Sequence, residues 1–95
     1  MVYYSHTCGE IERYIARVFP NTRPCEHGRD RSAERVLWMI QEINAMPETI
    51  KGSLKAARWI GYVLHMCEEL GFWHNGHSRD LIRKDVESGN DRPAA

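Results

Sequence analysis

The chain has 95 residues, of which 42% are hydrophobic and 27% charged, so it can form one small globular domain and is not wholly disordered. Thirteen basic residues balance thirteen acidic ones, and no overall charge attracts nucleic acid or an anionic membrane. No apolar run approaches the ~18 residues of a membrane span, and Met1–His6 lacks the pattern of a signal peptide. With an odd number of cysteines, three, these features predict a cytoplasmic protein with reduced thiols.

The first predicted helix begins at a capping box. Thr7 is the expected N-cap, and Glu10 is expected to reach back to its amide. Apolar residues then recur at helical spacing as far as Val18, and Pro20 ends the helix. The segment 20–31 contains two prolines and a glycine, which predicts a long loop.

The second and third predicted helices follow this loop. The second begins near Ser32, which can cap it, and ends near Pro47. The third is the longest, from about Pro47 to Leu70, and its polar residues form one narrow stripe. Because such a helix is apolar around most of its circumference, it is predicted to lie at the centre of the fold. Gly61 in its interior predicts close approach of another helix, since glycine costs about 1 kcal/mol there relative to alanine.

A weaker fourth helix is predicted to start near Asn75 or Ser78 and to end at about Glu87. No segment alternates with a period of two, so no sheet is expected. The predicted fold is therefore an all-α, single-domain bundle of three main helices and a short C-terminal helix, comprising residues 1–87. The small, polar residues 88–95 predict a flexible tail.

Cysteine and histidine residues occur close together at two points, in the loop and in the turn before the last helix. Together they could supply four ligands for zinc: Cys25, His27, His74 and His77. Their spacing does not match closed zinc sites closely. Solvated or helix-capping histidines are the alternative interpretation, and no cofactor is predicted.

A nucleophilic thiol is a second candidate chemistry. Cys25 lies two residues before His27, whose imidazole could act as a base that activates the Cys25 thiol. In the same way Cys8 lies two residues after His6. Nothing in the sequence indicates an orienting third group or a substrate pocket. The chain is therefore predicted not to be an enzyme.

Six arginines between the first helix and the start of the second make this stretch locally basic. They are Arg13, Arg17, Arg23, Arg29, Arg31 and Arg35. A cluster of this kind can bind phosphates, so a nucleic-acid-binding accessory protein is one functional prediction. Pairing of the arginines with acidic residues of the same stretch is the alternative.

Three tryptophans and their aromatic neighbours are a generous supply for a thin core, and Trp with Arg is typical of protein interfaces. The leading prediction is therefore a regulatory or interaction module that binds a protein partner or a second copy of itself. Lys55–Val63 and Glu69–Phe72 resemble a helix and glycine turn of small helical proteins from phages and mobile gene cassettes, and Glu34–Met39 is similar to their preceding helix. This resemblance implies a helical fold and a mobile-element setting, and no functional residue carries over.

Overall fold

The computed structural model describes residues 3–27 and 32–93. The fold has four helices: α1 (Ser5–Val18), α2 (Ala33–Asn44), α3 (Ile50–Glu69) and α4 (Asn75–Glu87). No strand occurs in the two described ranges, so the predicted all-α fold class is confirmed. With 13 residues, α4 is as substantial as the 12-residue α2 rather than a minor element. Over the same ranges, none of the helices is long and apolar enough to cross a membrane.

The start of α1 differs from the predicted capping box. The helix begins at Ser5, after Tyr4 in the left-handed conformation with φ 53°, and no side chain of this segment caps it. The cap comes from α4 instead: the buried carboxylate of Asp85 accepts hydrogen bonds from the amides of His6, at 3.0 Å, and Thr7, at 2.7 Å. The Thr7 hydroxyl donates to the same carboxylate. A residue at the far end of the chain therefore satisfies the free amides of the first turn.

The carboxyl group of Asp85 is held in its charged form. Burial on its own raises the pKa of Asp85, but hydrogen bonds from Thr7, Asn90 and His6 outweigh burial and leave the pKa below its usual value of 3.8. An anion at the N-terminus of α1 also interacts favourably with the helix dipole. Asp85 thus joins α1 to α4 by charge as well as by hydrogen bonds.

The chain after α4 returns to the start of the fold. The amide of Tyr4 donates to the carbonyl of Asn90 at 2.9 Å. The hydroxyl of Ser53, in the first turn of α3, donates to the carbonyl of Asp91 at 2.7 Å. The end of α4 therefore lies beside the start of α3, and the two helices are antiparallel. The sequence suggests no packing role for residues 88–95, whereas Asn90 and Asp91 have these partners; residues 94–95 lie outside the described ranges.

All four helices contribute to one hydrophobic core, in which α2 packs against α3 and α1 packs against α4. Its most deeply buried aliphatic residues are Ile11, Ile15, Val36, Ile40, Ile43, Ile60 and Val63. The prediction that α3 is enclosed on most sides is wrong, because Ile50 is 76% exposed and Leu54 is 60% exposed. The close approach predicted at Gly61 is also wrong, since a β-carbon there would have no neighbouring atom within 4 Å.

A buried tyrosine ties the N-terminal segment to the connection between α2 and α3. The hydroxyl of Tyr3 donates to the carbonyl of Pro47 at 3.0 Å and lies 3.3 Å from that of Thr49. Replacing Tyr3 by Phe keeps the ring and removes this bond, so we expect the free energy of unfolding to fall by about 1 kcal/mol in urea titrations. The exposed Tyr62, changed to Phe, is the control and should have no effect. Equal stability of both variants would contradict the bond.

Candidate interaction surface

The cysteine and histidine residues proposed as zinc ligands do not come together. Cys25 and His27 are exposed in the segment before α2, where the Cys25 amide donates to the carbonyl of Glu34 at 3.1 Å. His74 and His77 lie at the N-terminus of α4, and the ring of His77 packs against an indole. Within residues 3–27 and 32–93, no group of three or more His, Cys, Asp or Glu side chains could hold a metal ion. The four candidates therefore form no zinc site.

The thiol of Cys8 is not poised for nucleophilic attack. Burial raises the pKa of Cys8 to about 12, and the same cause raises the pKa of Cys67 to about 12. Both groups are therefore protonated at neutral pH and lack the thiolate that reacts. His6 and Cys8 are also two positions apart on α1, a spacing at which helical side chains do not face each other. Cys8 packs in the core instead.

Two of the six arginines lie on α1. Arg13 forms an ion pair with Glu10 at 2.8 Å, and this hydrogen bond lowers the pKa of Glu10. The guanidinium of Arg17 lies 5.6 Å from the ring centre of Tyr14. Both arginines border a groove that also contains Trp73. They are thus exposed cations, each with one partner of its own on the same helix.

The other arginines have different surroundings. Arg35, in the first turn of α2, donates to the carbonyl of Glu26 at 3.0 Å, which folds the preceding segment onto this helix. Arg23 is exposed in that segment. Arg29 and Arg31 lie outside the described residues. The described members of the predicted arginine cluster are therefore divided between α1, the connecting segment and α2.

Most of the aromatic side chains contact one another. The rings of Tyr14 and Phe72 stack with their centres 4.4 Å apart, and the indole of Trp73 donates to the buried Ser78 hydroxyl at 3.0 Å. The rings of Trp38 and Trp59 lie 5.9 Å apart on the other side of the fold. These contacts explain the large number of aromatic residues as pairs that join neighbouring elements.

Two large aliphatic side chains are exposed on one side of α3, Ile50 and Leu54. Ile50 and Leu54 are four residues apart, and Ala57 and Gly61 follow at steps of three and four. This spacing places all four residues along one line of the helix. The line is exposed at every one of these positions. The N-terminal half of α3 therefore presents an apolar line that no other element within residues 3–27 and 32–93 covers.

A shallow groove between α3 and α4 begins at the Gly61 end of this line. Gly61 and Leu64 contribute to one wall, and Arg79 and Ile82 contribute to the other. Because α4 is antiparallel to α3, Val86, one turn beyond Ile82 and 41% exposed, extends this wall towards the start of α3. We define the α3–α4 face as Ile50, Leu54, Ala57, Gly61, Ile82 and Val86.

Three cations lie beside the α3–α4 face. Lys51 and Arg58 lie three residues before and four residues after Leu54, so both are its neighbours on the helix surface. Arg79 stands on the opposite wall of the groove. None of these three cations has an ion pair with the described residues. Glu68 is the one acidic residue among those that line the groove.

Sequence reasoning missed this face, although its spacing is visible in the chain. The steps of four, three and four from Ile50 to Gly61 are the same as those of a buried stripe, and the apolar circumference of α3 predicts a helix enclosed on most sides. Comparisons of the chain with protein-family models, with curated proteins and with solved structures give no significant match.

Proposed function

We propose that this protein is a non-enzymatic interaction module that binds a partner protein through the α3–α4 face. The observation that carries the proposal is the exposure of Ile50 and Leu54 on one side of a well-formed helix. Contiguous exposed aliphatic surface is typical of binding sites. Complete burial of an Ile or Leu side chain contributes roughly 1.5–3 kcal/mol, so these two residues could supply much of the affinity for a partner.

Gly61 supports the same proposal. A glycine inside a helix costs about 1 kcal/mol relative to alanine, and no atom of the described residues lies within 4 Å of a β-carbon placed at Gly61. A position without a side chain on an exposed helix allows another molecule to approach the helix backbone closely. The cost in stability therefore has a physical reason if a partner docks along α3.

Two other predictions from the sequence remain beside this proposal. Nucleic-acid binding through Arg13 to Arg35 stays a prediction, and it receives less support from the geometry because the described arginines are divided among three elements. A role within a mobile genetic element also stays a prediction, and it rests only on the resemblance of Lys55–Val63, Glu69–Phe72 and Glu34–Met39.

Site-specific photo-crosslinking tests the proposed function. A photoreactive amino acid at position 54 should give a discrete adduct with one partner protein in cells that produce the chain. The same amino acid at position 18 is the control, because Val18 is 44% exposed but lies at the end of α1, away from the face. In addition, Leu54→Gln should weaken binding of the captured partner by about tenfold or more, since it removes most of one apolar contact.

The control at position 18 distinguishes specific docking from nonspecific hydrophobic association. Val18→Gln should leave partner affinity unchanged, and neither substitution should alter the thermal unfolding curve much, because both side chains are exposed. Equal adducts at positions 18 and 54, or no adduct at position 54, would contradict an interaction function of this face.

A further inference from the structure

We infer that the partner segment is an acidic amphipathic helix, an inference that rests on the proposed interaction function. Two antiparallel helices, α3 and α4, form the walls of the groove, and a third helix fits such a groove by inserting residues at positions i, i+3 or i+4, and i+7. From Ile50 to Gly61 the apolar line is about 16 Å long at 1.5 Å per residue. That length matches about three turns of a partner helix.

Charge decides which kind of helix fits. Lys51 and Arg58 border the apolar line on α3, Arg79 borders it on α4, and none of the three is neutralised by an ion pair with the described part of the chain. Glu68 offsets only one of these positive charges. A helix with Asp or Glu beside its apolar stripe therefore gains complementary contacts on both walls, whereas a basic helix meets like charges.

The same charges argue against a second copy of this chain as the occupant. In a two-fold symmetric dimer each α3–α4 face would lie against another α3–α4 face. Lys51, Arg58 and Arg79 of one copy would then be brought near the same cations of the other. A partner with the opposite charge avoids this repulsion.

The direct test is selection from a displayed library of helical peptides. All members share one apolar stripe, and their polar positions vary among Glu, Lys, Gln and Ser. Peptides selected by the folded protein should be acidic. By fluorescence anisotropy at about 50 mM salt, they should bind at least about tenfold tighter than peptides with the same apolar residues and Lys in place of Glu, and the preference should shrink at about 500 mM salt.

Charge-matched variants show which cations of the protein cause the preference for acidic peptides. Replacing Lys51, Arg58 and Arg79 together by Gln should remove the preference for acidic peptides. The control is the triple variant Arg17→Gln, Arg23→Gln and Lys84→Gln, which removes the same number of positive charges away from the face. This control should retain the preference for acidic peptides. Persistence of the preference in the first variant would overturn the inference, because the effect would then come from overall charge.

Gly61→Gln separates docking from folding. Glutamine is a better helix former than glycine, so this variant should melt roughly 2–5 °C higher than the wild type. Its side chain should nevertheless occupy the groove and weaken binding of the selected acidic peptides by about tenfold. Tighter or unchanged binding would show that no helix docks over Gly61 and would overturn the inference.

The remaining outcomes distinguish the inference from the proposed function. Selection of neutral or basic peptides whose binding depends on Leu54 overturns the acidic partner and leaves the interaction function standing. Absence of any selected helix overturns the inference, and the crosslinking at position 54 then decides the function independently. A dimer in analytical ultracentrifugation that is lost in Leu54→Gln identifies a second copy as the occupant and also overturns the inference.

Discussion

Replacing Asp85 by Ala is expected to lower the free energy of unfolding by about 3 kcal/mol, a large share of the stability of a domain this size. The carboxylate is completely buried and accepts hydrogen bonds from the amides of His6 and Thr7, from the Thr7 hydroxyl and from the Asn90 side chain. Its removal leaves these donors without an acceptor, and each buried unsatisfied donor costs about 1–3 kcal/mol. Urea unfolding followed by circular dichroism measures the loss.

Asp80→Ala is the matched control on the same helix. Asp80 is exposed and its ion pair with Arg83 is long, at 3.6 Å, so its removal should change stability by no more than about 0.5 kcal/mol. Similar losses for the Asp80 and Asp85 variants would show that Asp85 does not cap α1.

A second substitution at this position, Asp85→Asn, tests the charge of Asp85 through the pH dependence of stability. The pKa of Asp85 is lower in the folded than in the unfolded protein, so its charged form contributes stability above the unfolded value of about 3.9. This contribution is lost as the pH falls through the folded pKa. The difference in stability between the wild type and Asp85→Asn should therefore be constant near neutral pH and shrink below about pH 4. A difference that grows on acidification would contradict the lowered pKa.

Local patterns in the sequence were sufficient for the fold class. Helical spacing of apolar residues predicts all four helices, and Ser32 caps α2 as expected, with its hydroxyl oxygen accepting from the Arg35 amide at 3.3 Å. The predicted cap of α1 failed because Asp85, the actual acceptor, is 78 residues away from Thr7. A capping box describes only neighbours in sequence, and it carries no information about a partner on another helix.

The candidate site was harder to predict for a related reason. Apolar periodicity identifies one side of a helix, but it does not say whether another element covers that side. Ile60 and Leu54 are both aliphatic residues of α3, yet Ile60 is buried and Leu54 is exposed. In the same way, the spacing within the pair Cys25 and His27 and within the pair His74 and His77 cannot show whether the two pairs lie close together. Both facts depend on how the helices are arranged in space.

Two glycines of α3 should respond in opposite directions to the same substitution. Gly52 is buried, and a β-carbon at this position would collide with the carbonyl oxygen of Pro47. Because that oxygen belongs to the backbone and cannot rotate away, we expect Gly52→Ala to lower the free energy of unfolding by about 2–3 kcal/mol. Gly61→Ala should raise it by about 0.5–1 kcal/mol, since a methyl group there meets no atom within 4 Å and alanine favours the helix.

Urea unfolding of the two single variants measures both effects, and each serves as the control for the other because helix propensity favours alanine at both positions. A neutral Gly52→Ala would show that the connection between α2 and α3 does not pass close to Gly52. Destabilisation by Gly61→Ala would mean that the surface above Gly61 is covered in the free protein. The free energy of unfolding gained by Gly61→Ala measures how much stability the glycine costs the free protein. Because a docked partner would explain this cost, an occupant of the α3–α4 face should be sought first beside Gly61.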